Sequence, residues 1–253
     1  MNISVEWAEL IRNPGERDHV VHVYQDAAFL LDAIVEFIGT GLSLGEAGLV
    51  VARPARCEAI VAALAAKGLQ PNGALRVLDA EQVLDALMVD GTPQWTAFDA
   101  LCGGAIAELR LRYPGVRAYG EMVDILWQLG CRMAVLQLEE YWTEVARARP
   151  FALLCAYCID PLDVATYGMG FAQVCKAHTH LIPARDYSGF NEAVRDAARQ
   201  VLPDPLARML SSLAATHRPC TEMPLGQATL FWLKQNMPRT AEKVLQQVKA
   251  KLA

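Results

Sequence analysis

Short apolar runs alternate with helical periodicity through the first 180 residues, and this alternation is the strongest constraint on the fold. Most runs are apolar at odd and even positions alike, which is typical of strands covered on both faces. The predicted strands are 19–24, 48–52, 75–79, 116–120, 151–159 and 178–182. Helical segments separate most of these strands, so the pattern predicts a mainly parallel sheet with helices on both faces.

The predicted helices fill the segments between these strands and continue to the end of the chain. They are 29–38, 54–67, 80–88, 95–112, 121–129, 133–147, 171–177, 189–213, 225–236 and 239–252. A break is expected at 90–93, and a polar break at 216–224. We therefore divide the chain into an α/β domain, 1–188, and a C-terminal helical extension, 189–253.

The first strand-to-helix junction lacks a phosphate loop. Nucleotide-binding α/β proteins carry glycines and a lysine there, because backbone N–H groups must surround phosphates. Here the segment is Tyr24-Gln25-Asp26-Ala27-Ala28. An aspartate at this position satisfies the free N–H groups of the helix and repels an anion. The junction predicts little or no ATP binding or hydrolysis.

Composition and charge narrow the class of protein. The net charge is −5 and the pI is near 5.6, so the bulk surface offers nucleic acid no electrostatic footprint. No apolar run reaches the roughly 18 residues that a membrane span needs, and residues 1–18 contain no signal-peptide core. Seven cysteines, an odd number, are expected to be free thiols. These features predict a cytoplasmic protein.

The basic C-terminal tail has two interpretations, a packed helical hairpin and a DNA-binding helix-turn-helix. Lysines and arginines outnumber acidic residues after residue 230, where Glu242 is the single carboxylate side chain. A packed helical hairpin with a solvated basic face accounts for this pattern better than a helix-turn-helix, because the second helix carries few base-reading side chains. Phe231 and Trp232 would supply the apolar face that docks on the domain or on a second copy.

Candidate binding residues follow the strands, since ligands of open α/β sheets bind at the carboxyl ends of strands. These ends carry Tyr24, Arg53 and Glu121, and His22 shares a strand face with Tyr24. Asp26, Asp79, Glu81, Asp160 and Asp163 also follow strands, with helix capping as the alternative role for the first three. His22 has the alternative of a hydrogen-bonded core histidine, and Glu121 that of a helix cap.

The cysteine and histidine spacings do not support a metal site or a catalytic nucleophile. Cys155-x-x-Cys158 and Cys175-x-x-His178 have zinc-ribbon spacing. Positions i and i+3 of a strand face opposite sides, so the first pair does not form a knuckle. The chain has no Gly-x-Ser-x-Gly elbow, and apolar neighbours disfavour thiolate activation of Cys175. The sequence therefore predicts no metal, no cofactor and no catalytic residue.

Several motifs, in order, resemble the MEDS family, the methanogen/methylotroph sensory domain first described in a dichloromethane-responsive repressor. They are His19-x-x-His22-x-Tyr24, Phe37-Ile38-x-x-Gly41-Leu42-x-x-Gly45-Glu46, Arg117-Ala118-Tyr119-Gly120-Glu121-Met122, Leu138-Glu139-x-x-Trp142, Leu154-Cys155-x-Tyr157 and Cys175-x-x-His178. The resemblance covers 18–182 and implies a RecA/KaiC-like domain without a nucleotide loop that senses small molecules. Family members are usually joined to kinase, anti-sigma or DNA-binding modules.

The resemblance also implies site residues. Carried over position by position, they are His22, Tyr24, Glu46, Glu121, Glu139, Tyr157 and His178. Two departures from the family pattern stand out: Cys158 occupies a position where an acidic residue is expected, and a helical tail replaces a recognisable output module.

The sequence reading is thus a non-catalytic sensory or regulatory domain that binds an unidentified small molecule at the strand-end crevice. The predicted lining is His22, Tyr24, Arg53, Glu121, Glu139, Tyr157 and His178. Signalling would pass to a protein partner, with self-association through the tail. The alternatives are an interaction adaptor with a closed vestigial site, and a degenerate KaiC-like ATPase.

Overall fold

A six-stranded parallel sheet forms the centre of the protein. The computed structural model describes residues 5–70, 73–182, 188–220 and 223–252. Its strands are β1 (His19–Tyr24), β2 (Ala47–Ala52), β3 (Leu75–Asp79), β4 (Met88–Val89), β5 (Thr92–Pro93), β6 (Val116–Gly120), β7 (Ala152–Cys158) and β8 (His180–Ile182). The sheet order is β3-β2-β6-β7-β1-β8, and β4 and β5 pair separately as a small antiparallel hairpin.

The helices connect these strands and then form a C-terminal group. They are α1 (Val5–Arg12), α2 (Ala27–Ser43), α3 (Pro54–Ala66), α4 (Ala80–Leu87), α5 (Trp95–Phe98), α6 (Gly104–Arg110), α7 (Met122–Gln128), α8 (Arg132–Ala148), α9 (Met169–Ala177), α10 (Ser188–Val201), α11 (Asp204–His217), α12 (Leu225–Asn236) and α13 (Pro238–Leu252). A π-helical turn, Asp99–Gly103, joins α5 to α6, and a 3-10 turn, Val164–Tyr167, precedes α9.

Two hydrophobic cores cover the two faces of the sheet. Alternate residues of β1 separate them: Val20 and Tyr24 pack with α1, α2 and α3, whereas Val21 and Val23 pack with α4 through α9. All six residues of β1 and all six of β2 are buried, as strands apolar on both faces require. The predicted α/β class is confirmed, and the strand order is consistent with the RecA-like fold that the resemblance implies.

Three local features of the structure differ from the predictions. The sequence pattern does not predict α1, because the segment is short. The predicted helix 95–112 contains the π-helical turn, which a 3.6-residue period does not reveal. The predicted helix 189–213 is two helices, since Pro203 lacks an N–H and disfavours helical backbone before it. At the expected break, Asp90 (φ 48°) and Gly91 (φ 75°) close the β4–β5 hairpin.

The C-terminal helices α10–α13 share a third hydrophobic core, which also receives Tyr167 and Ala172 from the α9 region. Phe231 is buried in this core, and Trp232 packs against both it and the α4–α9 core. The assignment of 189–253 as a separate unit stays a prediction, and residues 183–187 and 221–222 lie outside the described residues. Among the described helices, none has the length and apolar character to cross a membrane.

Candidate functional site

The structure places most of the predicted site residues in two groups, one at the carboxyl edge of the sheet and one on the face of the sheet that α8 and α9 cover. Tyr24, Arg53 and Glu121 come together at the carboxyl ends of β1, β2 and β6, where Arg56 and Asp124 join them. We call these five residues the strand-end cluster. Glu139, Tyr157 and His178 come together beneath α8 and α9, with His19 and Cys155. We call those five the buried histidine cluster.

Every carboxylate of the strand-end cluster is balanced by a cation or an N–H donor. Glu121 is fully buried and accepts hydrogen bonds from Arg53 N (3.0 Å), Arg53 Nη1 (2.5 Å) and Arg56 Nε (2.9 Å). Asp124, also buried, accepts from Tyr24 Oη (3.0 Å), from Cys158 N (2.8 Å) and from Arg53 Nη1 (3.3 Å). The cluster is therefore closed by its own ion pairs.

The pKa shifts of Tyr24 and Arg53 agree with a cluster that is closed by its own ion pairs. Burial raises the pKa of Tyr24 well above its usual value, and the charge of Asp124 adds to the effect. Burial opposes the charge of Arg53, but the carboxylates of Glu121 and Asp124 outweigh it, so its pKa is raised. Beside the cluster lies an open cavity of about 360 Å³, lined by Arg53, Arg56, Glu121 and apolar side chains of α2 and α3.

The buried histidine cluster draws its side chains from separate elements. His19 begins β1, Glu139 lies in α8, Cys155 and Tyr157 lie in β7, and His178 follows α9. Glu139 Oε2 is 3.3 Å from His19 Nε2 and 3.6 Å from His178 Nε2. All five residues are at most 7% exposed. The parallel register of β1 and β7, which pairs Val21 with Cys155, brings this set together.

Hydrogen bonds orient the cluster. Tyr157 Oη donates to Glu139 Oε1, His19 Nε2 lies 3.4 Å from Cys155 Sγ, and His178 Nδ1 lies 2.7 Å from the carbonyl oxygen of Val174. This last bond directs His178 Nε2 inward, where it is buried without a hydrogen-bond partner among the described residues. The two histidine rings lie 4.0 Å apart, centroid to centroid.

Burial also determines the charge states in this cluster. It lowers the pKa of His178 to about 4, so the imidazole is neutral at pH 7. Burial alone would raise the pKa of Glu139, but His178, His19 and Tyr157 together bring it below its usual value. Glu139 is thus held in the core beside two imidazoles, with no lysine or arginine paired to it among the described residues.

A groove of about 720 Å³ lies over the buried histidine cluster, between α8 and α9. Glu139 and Ala177 are part of its lining, which connects it to the cluster. The remaining lining combines aromatic, apolar, polar and charged side chains: Trp95, Leu136, Glu140, Tyr141, Thr143, Glu144, Arg147, Gln173 and Lys176.

Two other predicted residues lie outside both clusters. His22 is fully buried on the α2 face, edge-on to Phe29 (ring centroids 5.3 Å apart), and neither ring nitrogen has a partner among the described residues. Glu46 lies before β2, at the opposite edge of the sheet, where it accepts a hydrogen bond from Arg117 Nε (2.5 Å). Ligand binding by the predicted site residues stays a prediction.

Sequence reasoning missed four members of the two clusters. Arg56 and Asp124 lie within helices, one turn beyond the strand ends where candidates were sought. His19 and Cys155 were present in the motifs, and a period of two places Cys155 on the same strand face as Tyr157. This shared strand face is the sequence signal that could have identified Cys155 as a member of the cluster.

The junction after β1 confirms the capping role of Asp26, whose carboxylate accepts hydrogen bonds from Ala28 N (2.8 Å) and Phe29 N (3.3 Å). The sheet, this capped junction and the two clusters define a class: an α/β domain that has no phosphate loop at its first junction. A family model described as MEDS, MEthanogen/methylotroph, DcmR Sensory domain, matches residues 18–179. The chain therefore belongs to the MEDS family of sensory domains. No curated protein and no solved structure gave a significant match.

Proposed function

We propose that this MEDS domain is a non-catalytic sensor that binds a small molecule in the groove between α8 and α9. The observation that carries the proposal is the position of Glu139, which belongs both to the groove lining and to the buried histidine cluster. The volume, about 720 Å³, falls within the roughly 300–1,000 Å³ usual for small-molecule sites. Trp95 and Tyr141 offer aromatic contact area, and Arg147 and Lys176 offer charged groups at the rim.

The strand-end crevice, where the sequence predicted the ligand, is the weaker candidate. Its arginines are already engaged by Glu121 and Asp124, so a polar ligand in the cavity of about 360 Å³ beside them would have to compete with these ion pairs. The engaged arginines favour the second candidate function, an interaction adaptor with a vestigial site. The two candidates differ in whether the α8–α9 groove takes a ligand.

The path from the groove to an output runs through α9. This helix packs on α8, and the α9 region supplies Tyr167 and Ala172 to the core of α10–α13. A ligand that shifted α9 would therefore alter the packing of α10–α13. We propose that a protein partner or a second copy of the chain reads this change.

The test uses anilinonaphthalene sulfonate, a fluorescent probe that binds apolar grooves, together with native mass spectrometry for copurified molecules. Gln173→Trp fills the groove from an exposed position on α9, and Gln247→Trp makes the same change on the exposed face of α13. We expect the parent and Gln247→Trp to bind the probe equally, and Gln173→Trp to bind at least tenfold more weakly. Equal binding by all three proteins would favour the adaptor.

A further inference from the structure

We propose that His19, Glu139, Cys155 and His178 together bind one Zn²⁺ ion. Their ligand atoms lie within 4.8 Å of one another, and all four residues are buried. The site goes beyond the proposed sensory function and does not rest on a ligand in the groove, because it consists of side chains beneath the groove floor.

Three of the distances between ligand atoms match those of a tetrahedral site, and a fourth is slightly longer. Zinc bonds of about 2.0–2.1 Å to nitrogen or oxygen and about 2.3 Å to sulfur place neighbouring ligand atoms about 3.3–3.6 Å apart. Glu139 Oε2 lies 3.3 Å from His19 Nε2 and 3.6 Å from His178 Nε2. Cys155 Sγ lies 3.4 Å from His19 Nε2 and 3.9 Å from Glu139 Oε2. Small side-chain movements would complete the tetrahedron.

The charges of the donor set also fit a divalent ion. One carboxylate, one thiolate and two neutral imidazoles carry two negative charges, which Zn²⁺ neutralises. A bound divalent ion would balance this negative charge, which matters in the core because burial penalises an unbalanced charge. This donor set, with two imidazole nitrogens, a thiolate and a carboxylate oxygen, binds zinc in preference to magnesium or calcium.

Neighbouring groups orient the ligands as they do in known zinc sites. His178 Nδ1 bonds the carbonyl oxygen of Val174 at 2.7 Å, which leaves the Nε2 lone pair directed into the cluster. Nε2 has no hydrogen-bond partner of its own among the described residues. Tyr157 Oη donates to Glu139 Oε1 and leaves Oε2 for the ion. The unpartnered nitrogen, nine-tenths or more buried, is the observation that points to a ligand at this position.

The ion would connect four elements of the fold: β1, β7, α8 and the end of α9. It would thereby fix α9 to the sheet at the floor of the groove. The groove supplies an entry path, because Glu139 and Ala177 line it.

Cobalt substitution tests the site on the full chain, stripped with EDTA. With Co²⁺ alone, we expect one equivalent per chain, intense d–d bands of a tetrahedral ion and a thiolate-to-cobalt charge-transfer band in the near ultraviolet. One equivalent of Zn²⁺ should abolish these bands. Cys155→Ser should lose the charge-transfer band, whereas Cys102→Ser, the same change at a buried thiol outside the cluster, should keep it. His178→Gln should weaken Co²⁺ binding at least tenfold.

Three results would overturn the proposal. The first is the absence of a thiolate-to-cobalt band in the parent protein. The second is persistence of that band in Cys155→Ser, which would point to the exposed thiols of Cys131 or Cys158. The third is an unchanged Co²⁺ affinity in His178→Gln. The first needs no variant, so the proposal stays open to refutation even if a substitution prevents folding. Probe binding in the groove is measured separately, which distinguishes loss of the metal from loss of the sensor.

Discussion

Glu121 and Glu139 are both buried carboxylates of one α/β domain, yet their surroundings differ. Glu121 lies between two arginines and a backbone N–H, so its charge is balanced within the protein. Glu139 lies between two histidines, a thiol and a tyrosine. The first arrangement holds strand ends together without outside help. The second has no lysine or arginine among its described partners, and this difference is the reason why we propose a cation site there.

The largest expected effect comes from breaking the balanced side. Glu121→Gln leaves Arg53 and Arg56 without their carboxylate, and loss of one partner from a buried ion pair costs about 3–5 kcal/mol. We expect a loss of about 3 kcal/mol in the free energy of unfolding, measured by urea denaturation. Glu144→Gln, at the exposed pair with Arg147, should cost under about 1 kcal/mol. Similar losses in both variants would mean that the strand-end cluster is open and solvated.

His22 gives the next effect, through pH. Burial lowers its folded-state pKa to about 4, against 6.5 in the unfolded chain. As the pH falls from 6.5 to 4 the unfolded state takes up the proton first, so up to about 3 kcal/mol of stability is lost in that window. His22→Leu should remove this part of the acid slope.

The slope is measured by urea denaturation at several pH values between 4 and 7, with His217→Leu on the exposed surface of α11 as the control. We also expect His22→Leu to be about 1 kcal/mol more stable than the parent at pH 7, because two unpartnered nitrogens leave the core. An unchanged slope would contradict the buried, neutral state of His22 and would favour a polar ligand there.

Glu139→Gln sharpens the comparison by the size of its effect. In EDTA, the change weakens the contacts with His19 and His178, but imidazoles can lose their proton whereas Arg53 and Arg56 cannot, and the amide can still accept from Tyr157. We expect the stripped variant to lose about 1 kcal/mol of stability, less than Glu121→Gln loses, by thermal unfolding. A loss as large as that of Glu121→Gln would show that the two carboxylates are balanced alike.

The smallest effect concerns the capped junction. Asp26→Ala removes the side-chain acceptor for Ala28 N and Phe29 N, and loss of such a cap costs about 1 kcal/mol. Neither the variant nor the parent should show a thermal shift with Mg²⁺ and ATP, since no glycine amides surround a phosphate there. A nucleotide-induced shift in the parent would revive the degenerate ATPase.

The strands and most helices could be predicted because each follows from a pattern of residues that are close together in the sequence. Near-continuous apolar runs predict the burial of β1 and of most of β7, and Asp26 marks the start of α2. The buried histidine cluster could not be predicted in this way, because nothing local says that β1 lies between β7 and β8. His19 and Cys155 are neighbours only through that pairing, and the Cys-x-x-Cys spacing directed attention to Cys158, whose side chain is exposed.

The place of β1 in the sheet has a consequence for synthesis of the chain. Its backbone partners are the late strands β7 and β8, and His19 exchanges hydrogen bonds with Thr179, 160 residues further on. At about 5–20 residues per second, a ribosome needs about 10–30 s to make that stretch. Until then the first strand has both edges open, and the domain cannot close from its N-terminus. The sheet is therefore expected to close late in synthesis, after β8 has been made, with a high contact order and a need for protection of the early strand until then.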